Sequence, residues 1–325
     1  MTVRPPRRAA RPAAPRPTAT PAPGLLPADE APARLRVGIV GAGRVGAVLG
    51  AALAAAGHDV VAGSGLSAAS HERAARLLPG VPLLPADEVV GASDLVVLAV
   101  PDDILAGLVA GLAETGAWRR GQLLFHTSGA HGLAVLAPAE RAGVLSLALH
   151  PAMTFSGGPE DLHRVVAAPF GVTSRPEHRP VAETLVLEMG GEPFWVAEAD
   201  RGLYHAALVT GANHLVTLVA EAADLLRTAG VTDPARVLTP LLTAALDNGL
   251  RRGDRGLTGP VSRGDVGTVA AHLQTLTERA PSSVDAYVAL ARRTTERALA
   301  AGRLKRHEGA PLLELLTGSA EEAAR

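Results

Sequence analysis

The chain contains no cysteine. Disulfides, zinc–thiolate centres and thiol nucleophiles are thereby excluded. Aromatic residues make up only 2% of the chain, too few for a base-stacking nucleic-acid platform. Neither sign of charge is in excess: 31 Lys and Arg face 32 Asp and Glu, a net charge of −1. No field therefore favours a polyanion or an anionic membrane. No unbroken apolar run approaches the roughly 20 residues of a membrane span. No His, Asp and Glu grouping has metal-ligand spacing, so no metal is expected. These absences together suggest a cytoplasmic protein with neither nucleic-acid nor membrane partners. Of the 325 residues, 47% are hydrophobic and 19% charged, enough for two domains with a sizeable core.

Residues 1–33 hold nine prolines and five arginines and no apolar periodicity. Such a stretch cannot bury enough surface to fold, and it lacks the apolar core of a secretory signal. It reads as an unstructured extension, with a basic partner-binding arm as the alternative.

The chain beyond it is organised around Arg36–Gly46, RVGIVGAGRVG. Arg36–Val40 has the β-branched, apolar character of a buried strand. Gly41, Gly43 and Gly46 follow in the pattern G-x-G-x-x-G, and Val45–Ala56 reads as a small-residue helix. Strand, glycine turn and helix in that order are the context a dinucleotide fingerprint requires. Gly41 permits the turn, Gly43 lets a pyrophosphate approach the backbone, and Gly46 lets the helix pack close to the strand. Ala42, Arg44 and Val45 complete the loop, whose helix N-terminus offers N–H groups to phosphate.

His58–Gly63 reads as the second strand. An NAD enzyme carries an acidic residue near its end to hold the ribose hydroxyls. Here that end reads Ala62, Gly63, Ser64, Gly65, and the nearby Asp59 stands at the start of the strand. The missing acid favours NADP(H) over NAD(H), with Arg44, Ser64 and Ser67 as candidate partners for the 2′-phosphate. Further strands are expected at 81–84, 94–100, 123–125, 144–149 and 165–173, with helices at 70–78 and 85–91 between them. Asp102 or Asp103 is placed to cap the helix after Pro101. This alternation argues for an α/β, doubly wound Rossmann sheet over 34–198. Ligands of such sheets sit at the carboxyl ends of the strands, where Val100, Pro101, His126, Thr127, Ser128 and His150 fall.

Near Glu198 the pattern turns helical. A long helix is expected from Asp200 to Ala229, then helices from Pro234, from Asp265 to Arg279 and from Ser283 to Ala301. A Gly-rich loop spans 253–264. Residues 199–303 read as an all-helical second domain and 304–325 as a C-terminal tail.

Six segments carry a family resemblance: GAGRVG (41–46), DLVVLAVPDD (94–103), HTSG (126–129), LHPAMTFSG (149–157), YHAALVTGANHLVTL (204–218) and LTGPVSRGDVGTVAAHL (257–273). The chain resembles the β-hydroxyacid dehydrogenase-like superfamily, which includes ketopantoate reductase and pyrroline-5-carboxylate reductase. More narrowly, it resembles Rossmann-like proteins whose helical half is a domain of unknown function. The resemblance implies an NAD(P)H hydride donor, a helical dimerising domain and a substrate held between the domains. Two family positions differ. Val209 stands four residues before Asn213, where hydroxyacid dehydrogenases have Lys. Gly267–Ala271 lacks the Glu of ketopantoate reductase.

Reduction of a carbonyl or imine needs a hydride donor, a proton donor and a clamp for the substrate's anionic group. His205 is a candidate proton donor, since a histidine titrates near neutral pH. Asn213 lies eight residues on, about 80° around an α-helix, so both can share one side. His150, held extended by Pro151, can line the substrate site or cap its strand. Arg263, whose planar fork suits a carboxylate, is the candidate clamp. It stands beside Asp265, and the alternative is an Arg263–Asp265 ion pair bracing the loop. Thr258, Ser262 and Thr268 are nearby hydrogen-bonding groups. Ser128 with His126 hints at a nucleophile, but no acid completes a triad, and backbone contact with the nicotinamide ribose is the favoured reading of that segment. The expected activity is NADP-dependent reduction of a small, ketopantoate-like 2-keto acid by a homodimer. The alternatives are reduction of a cyclic imine and a non-catalytic NADP-binding regulator.

Overall fold

The computed structural model describes residues 34–323. The extension expected over 1–33 lies outside the described residues. The chain divides into two compact units between Gly202 and Leu203, four residues beyond the expected boundary.

The first unit is built on seven strands: β1 (Arg36–Val40), β2 (Asp59–Ser64), β3 (Leu95–Leu98), β4 (Leu123–His126), β5 (Leu145–Pro151), β6 (Pro169–Ser174) and β7 (Glu192–Trp195). Their order in the sheet is β2-β1-β3-β4-β5-β6-β7. The first five are parallel, β6 is antiparallel to β5, and β7 is parallel to β6. The strand expected at 81–84 is reduced to one parallel bridge, Leu83 to Gly63, on the outer side of β2. Pro82 and Pro85 flank it and have no N–H to donate to a longer ladder.

Seven helices belong to this unit: α1 (Arg44–Ala55), α2 (Ala68–Leu77), α3 (Ala86–Ala92), α4 (Asp102–Glu114), α5 (Ala137–Arg141), α6 (Glu160–Val165) and α7 (Arg179–Glu188). Alternation along the buried strands sends side chains to both faces. Val37, Ile39, Leu95, Val97 and Phe125 pack with α1 and α7, whereas Val40, Val96, Leu98 and Leu124 pack with α3 and α4. The sheet is thus covered on both sides, as doubly wound sheets are. Three local expectations are corrected. The strand placed at 165–173 begins only at Pro169, because Val165 ends α6 and Ala167 takes a left-handed φ of 61°. Asp102 and Asp103 do not cap α4; Pro101 holds that position and both acids lie in the first turn, favourable to the helix dipole. β7 was not anticipated.

The second unit is helical: α8 (Arg201–Leu208), α9 (His214–Thr228), α10 (Pro234–Arg252), α11 (Gly259–Ser262), α12 (Val266–Arg279), α13 (Val284–Ala300) and α14 (Arg306–Ala323). The first residues of α8 belong to the preceding unit. Val209–Asn213 forms a π-turn between α8 and α9. The tail expected over 304–325 is instead largely α14, because Leu312 and Leu316 are buried with Val269, Leu273, Val284 and Val288 of α12 and α13. By contrast, α9 buries none of its residues, and α10 only Pro234. Val216, Leu241 and Leu250 are 70%, 62% and 80% exposed. The helical stretch Glu198–Thr228 has a mean hydropathy of 1.3 over its most apolar window and is long and apolar enough to cross a membrane by length and composition. No unbroken apolar run marks this stretch, because His205, Asn213 and His214 interrupt it without bringing its average down far.

Candidate functional site

The parallel register aligns Ser64, Val40, Leu98, His126 and Ala148 in one row across the sheet. The glycine loop leaves the middle of this row, at the end of β1. Gly41 has φ 97°, and a Cβ there would stand 2.5 Å from the carbonyl oxygen of Ala99. At Gly46 a Cβ would stand 2.1 Å from the carbonyl oxygen of Gly41. Both positions require glycine for the chain's own packing. Gly43 differs: it is the N-cap of α1, and a Cβ there would meet nothing within 4 Å. Space is therefore open above Gly43, next to the unpaired N–H groups of the helix start, and such a cradle suits an anionic phosphate.

Ser64 and Ser67 have roles within the fold. Ser64 Oγ accepts from the Gly41 N–H at 3.2 Å, and its carbonyl accepts from the Ala42 N–H at 2.6 Å, tying the loop to β2. Ser67 caps α2, accepting from the Ser70 N–H at 3.1 Å. Val100 lies against Gly41, and Pro101 begins the next helix. Thr127 is half-buried, its N–H bonded to the carbonyl of Leu98.

His126 cannot contact a cofactor with its side chain, because that side chain is completely buried. Nε2 lies 2.8 Å from the carbonyl oxygen of Gly132, and Nδ1 accepts from the Ser128 N–H at 3.2 Å. These partners select the neutral tautomer with the proton on Nε2. Burial lowers its pKa from 6.5 to about 4, and the nearby charge of Arg201 acts in the same direction. Ser128 Oγ accepts from the N–H groups of Ala130 and His131. The HTSG segment is thus a braced turn, and the nucleophile idea is discarded: Nδ1 is occupied by a backbone N–H and faces no hydroxyl.

Sequence reasoning missed Arg201. Its guanidinium is 1% exposed and donates to Thr173 Oγ1 at 2.8 Å and to the carbonyls of Ala148 and Gly171 at 2.9 and 3.0 Å. It bolts the start of α8 to β5 and β6. His150, half-buried, is the penultimate residue of β5 and pairs with Gly171 of β6.

In the helical unit His205 is half-buried and Asn213 is exposed. The π-turn separates them, and its wider, i→i+5 geometry adds a residue to the turn. The angle of about 80° holds only for an uninterrupted α-helix, so that relation is withdrawn. The π-turn itself coincides with the small-residue run ending at Asn213.

Arg263 is exposed and follows α11. Asp265 does not pair with it: no ion pair joins the two among the described residues. Asp265 caps α12 instead, accepting from Thr268 Oγ1 at 2.7 Å and from the Thr268 N–H at 3.0 Å. The Thr268 hydroxyl is the main cause of its carboxyl's lowered pKa, and the charge of Arg263 is a minor one. The bracing alternative is therefore corrected: the Asp265 carboxylate is engaged by the helix start. Ser262 Oγ likewise donates to the Gly259 carbonyl. Among the described residues no group of His, Asp and Glu is placed to hold a metal.

An open phosphate cradle at the switch point of a parallel, doubly wound sheet defines a Rossmann-type nucleotide-binding unit. Residues 22–151 match the Rossmann-like domain, and 168–294 match DUF2520, a domain of unknown function. The chain thus carries a segment that matches a Rossmann-like domain, followed by one that matches DUF2520. The DUF2520 match takes in β6 and β7 as well as the helices up to α13. No curated protein matches the chain.

Among solved structures, a provisionally named NADP oxidoreductase of Bacteroides fragilis is similar with a TM-score of 0.68 and 23% identity, over 81% of this chain and 98% of that one. A variant imine reductase from Myxococcus stipitatus, in complex with NAD+, has a TM-score of 0.58 and 17% identity, over 84% and 100%. Pyrroline carboxylate reductase of Plasmodium falciparum, with NADP bound, has a TM-score of 0.52 and 12% identity, over 81% and 98%. At these identities the likeness is one of fold.

Proposed function

We propose that the chain is an NADP(H)-dependent oxidoreductase that reduces a small 2-keto acid of the ketopantoate type. The observation that carries the cofactor reading is the open space above Gly43, framed by Gly41 and Gly46, whose own Cβ positions are filled by protein. The cofactor supplies a hydride when bound. The chain's part is to hold the pyrophosphate at the start of α1, to clamp the substrate carboxylate with Arg263 and to deliver a proton from His205. Asn213 in the π-turn and His150 at the end of β5 are the further candidates for substrate contact, since π-turns recur at functional positions. The missing acid at the end of β2 supports NADP(H) over NAD(H).

Reduction of a cyclic imine is the second reading, favoured by the likeness in fold to an imine reductase and a pyrroline carboxylate reductase. A non-catalytic NADP-binding regulator is the third, favoured by Val209 where the related dehydrogenases have Lys. Loss of NADPH absorbance separates the three, tested with the full chain against ketopantoate, other 2-keto acids and pyrroline-5-carboxylate. Turnover of a keto acid supports the first reading, and turnover of the imine alone replaces it. Nucleotide binding without turnover on any substrate favours the regulator. We also propose that two copies pair through the exposed apolar faces of α9 and α10.

A further inference from the structure

Two arginines from different helices converge on one backbone position of the first unit. Gly157, in the loop after β5, is buried and has φ 84°. A Cβ placed on it would stand 2.8 Å from Arg44 Cγ and 2.8 Å from Arg73 Nε. Arg44 is the first residue of α1, at the glycine loop, and Arg73 lies on α2, the helix that follows β2. The Gly157 turn is the wall against which both side chains lie. It is pinned from two sides: Arg76 Nη2 donates to its carbonyl at 2.9 Å, and Asp161 Oδ2 accepts its N–H at 2.7 Å. The Asp161 side chain is fully buried, and it also accepts from Ser156 Oγ and Arg164.

No ion pair of Arg44 or Arg73 with a carboxylate is present among the described residues. Two positive side chains that lie against one turn without an acid leave net positive charge there, and an anion is attracted to it. The end of β2 carries Ser64, whose hydroxyl already binds the Gly41 N–H, and no carboxylate to recognise a ribose diol. A ribose carrying a 2′-phosphate fits this chemistry, since guanidinium forks bind phosphate in paired, charge-assisted hydrogen bonds.

We propose that Arg73, set beside Arg44 by the Gly157 turn, is the residue that selects the 2′-phosphate, and that Asp161 and Arg76 are positioning residues for that turn. The proposal rests on the nucleotide-binding reading above.

The test is a fluorescence titration of the full chain with NADPH and with NADH, alongside melting curves. Wild type binds NADPH more tightly. Arg73→Ala weakens NADPH on the order of 10- to 100-fold, leaves NADH unchanged and melts like wild type, since the fold gives Arg73 no ion pair. Arg73→Lys recovers part of the loss, because the charge stays and the fork goes. Gly157→Ala displaces both arginines and reduces the preference for NADPH. Equal loss of both nucleotides in Arg73→Ala overturns the proposal, as it would make Arg73 an adenine or pyrophosphate contact. Unchanged NADPH affinity in that variant, or tighter NADH binding by wild type, also overturns it. Wild type that binds neither nucleotide overturns the cofactor reading itself, and the clamp with it.

Discussion

His126 Nε2 lies 2.8 Å from the carbonyl oxygen of Gly132, inside a turn that excludes water from the imidazole. The ring is held neutral, its pKa lowered by burial from 6.5 to about 4. On acidification the unfolded chain takes up this proton near pH 6.5, and the folded chain only near pH 4. Between those values the unfolded state binds more protons, so stability falls as the pH drops through that window and levels off below it. The contribution at stake is about 3 kcal/mol. Denaturant melts of wild type and His126→Gln from pH 7.5 to pH 4 check this. The variant should show a flatter acid limb, and identical slopes would refute the assignment.

The glycine loop separates binding from folding in two adjacent positions. A Cβ at Gly43 meets no protein atom within 4 Å, so Gly43→Val should leave the melting temperature near the wild-type value and abolish binding of both NADPH and NADH. Gly46→Ala puts a methyl group 2.1 Å from the Gly41 carbonyl and should destabilise the fold. The loss expected is on the order of 2–4 kcal/mol. A Gly43→Val protein that still binds nucleotide would reduce the fingerprint to a plain turn.

What the sequence made legible was local. The strand, glycine turn and helix at 36–56 declare themselves because each signal lies within a few residues of the next. The two-faced burial of Leu95–Leu98 is legible for the same reason, as a short run without alternation. β7 is not: EPFW opens on an acid and a proline, and its pairing with β6 is a tertiary event. The π-turn at Val209–Asn213 escapes periodicity, which assumes one residue count per turn. α14 was hidden by the polar end of the chain, although Leu312, Leu315 and Leu316 have helical spacing. Of the site residues, His126 was placed on the right strand, but the burial of its ring gave no signal, because sequence position does not report burial. Arg201 gave no signal at all; an arginine near a helix start reads as solvated until the fold closes over it.

Arg201 supplies a stability test that the sequence did not suggest. Its guanidinium satisfies two strand carbonyls and the Thr173 hydroxyl in the interior. Arg201→Met fills similar volume and leaves those acceptors without donors. The expected loss is on the order of 3 kcal/mol, read as a shift in the denaturant midpoint. A change near zero would mean that the buried charge costs as much as its hydrogen bonds contribute.

The exposed faces of α9 and α10 bear on assembly. Val216, Leu241 and Leu250 are too apolar and too open to face water comfortably in a folded chain. A homodimer should be seen by light scattering at micromolar concentration, and Leu241→Asp with Val216→Asp should convert it to monomer. A monomeric wild type that partitions into detergent micelles would instead give the apolar stretch Glu198–Thr228 a membrane role.

Arg263 and Asp265 stand two residues apart and do different work, and this makes the substrate clamp testable without ambiguity. If the two formed a brace, removing either would produce the same defect. The structure ties Asp265 to Thr268 at the start of α12. Asp265→Ala should therefore lower the melting temperature, because a helix loses its cap, and leave KM for the substrate near the wild-type value. Arg263→Ala should do the reverse. Its side chain has no ion pair to lose among the described residues, so the melting temperature should hold. A carboxylate substrate would lose its paired hydrogen bonds, and KM should rise on the order of 30- to 150-fold with NADPH affinity unchanged. Arg263→Lys should recover only part of this, since the ammonium group keeps the charge and lacks the fork. Steady-state kinetics and melting curves on the three variants decide the matter. A wild-type KM in Arg263→Ala would remove Arg263 from the substrate site and leave the carboxylate to another residue.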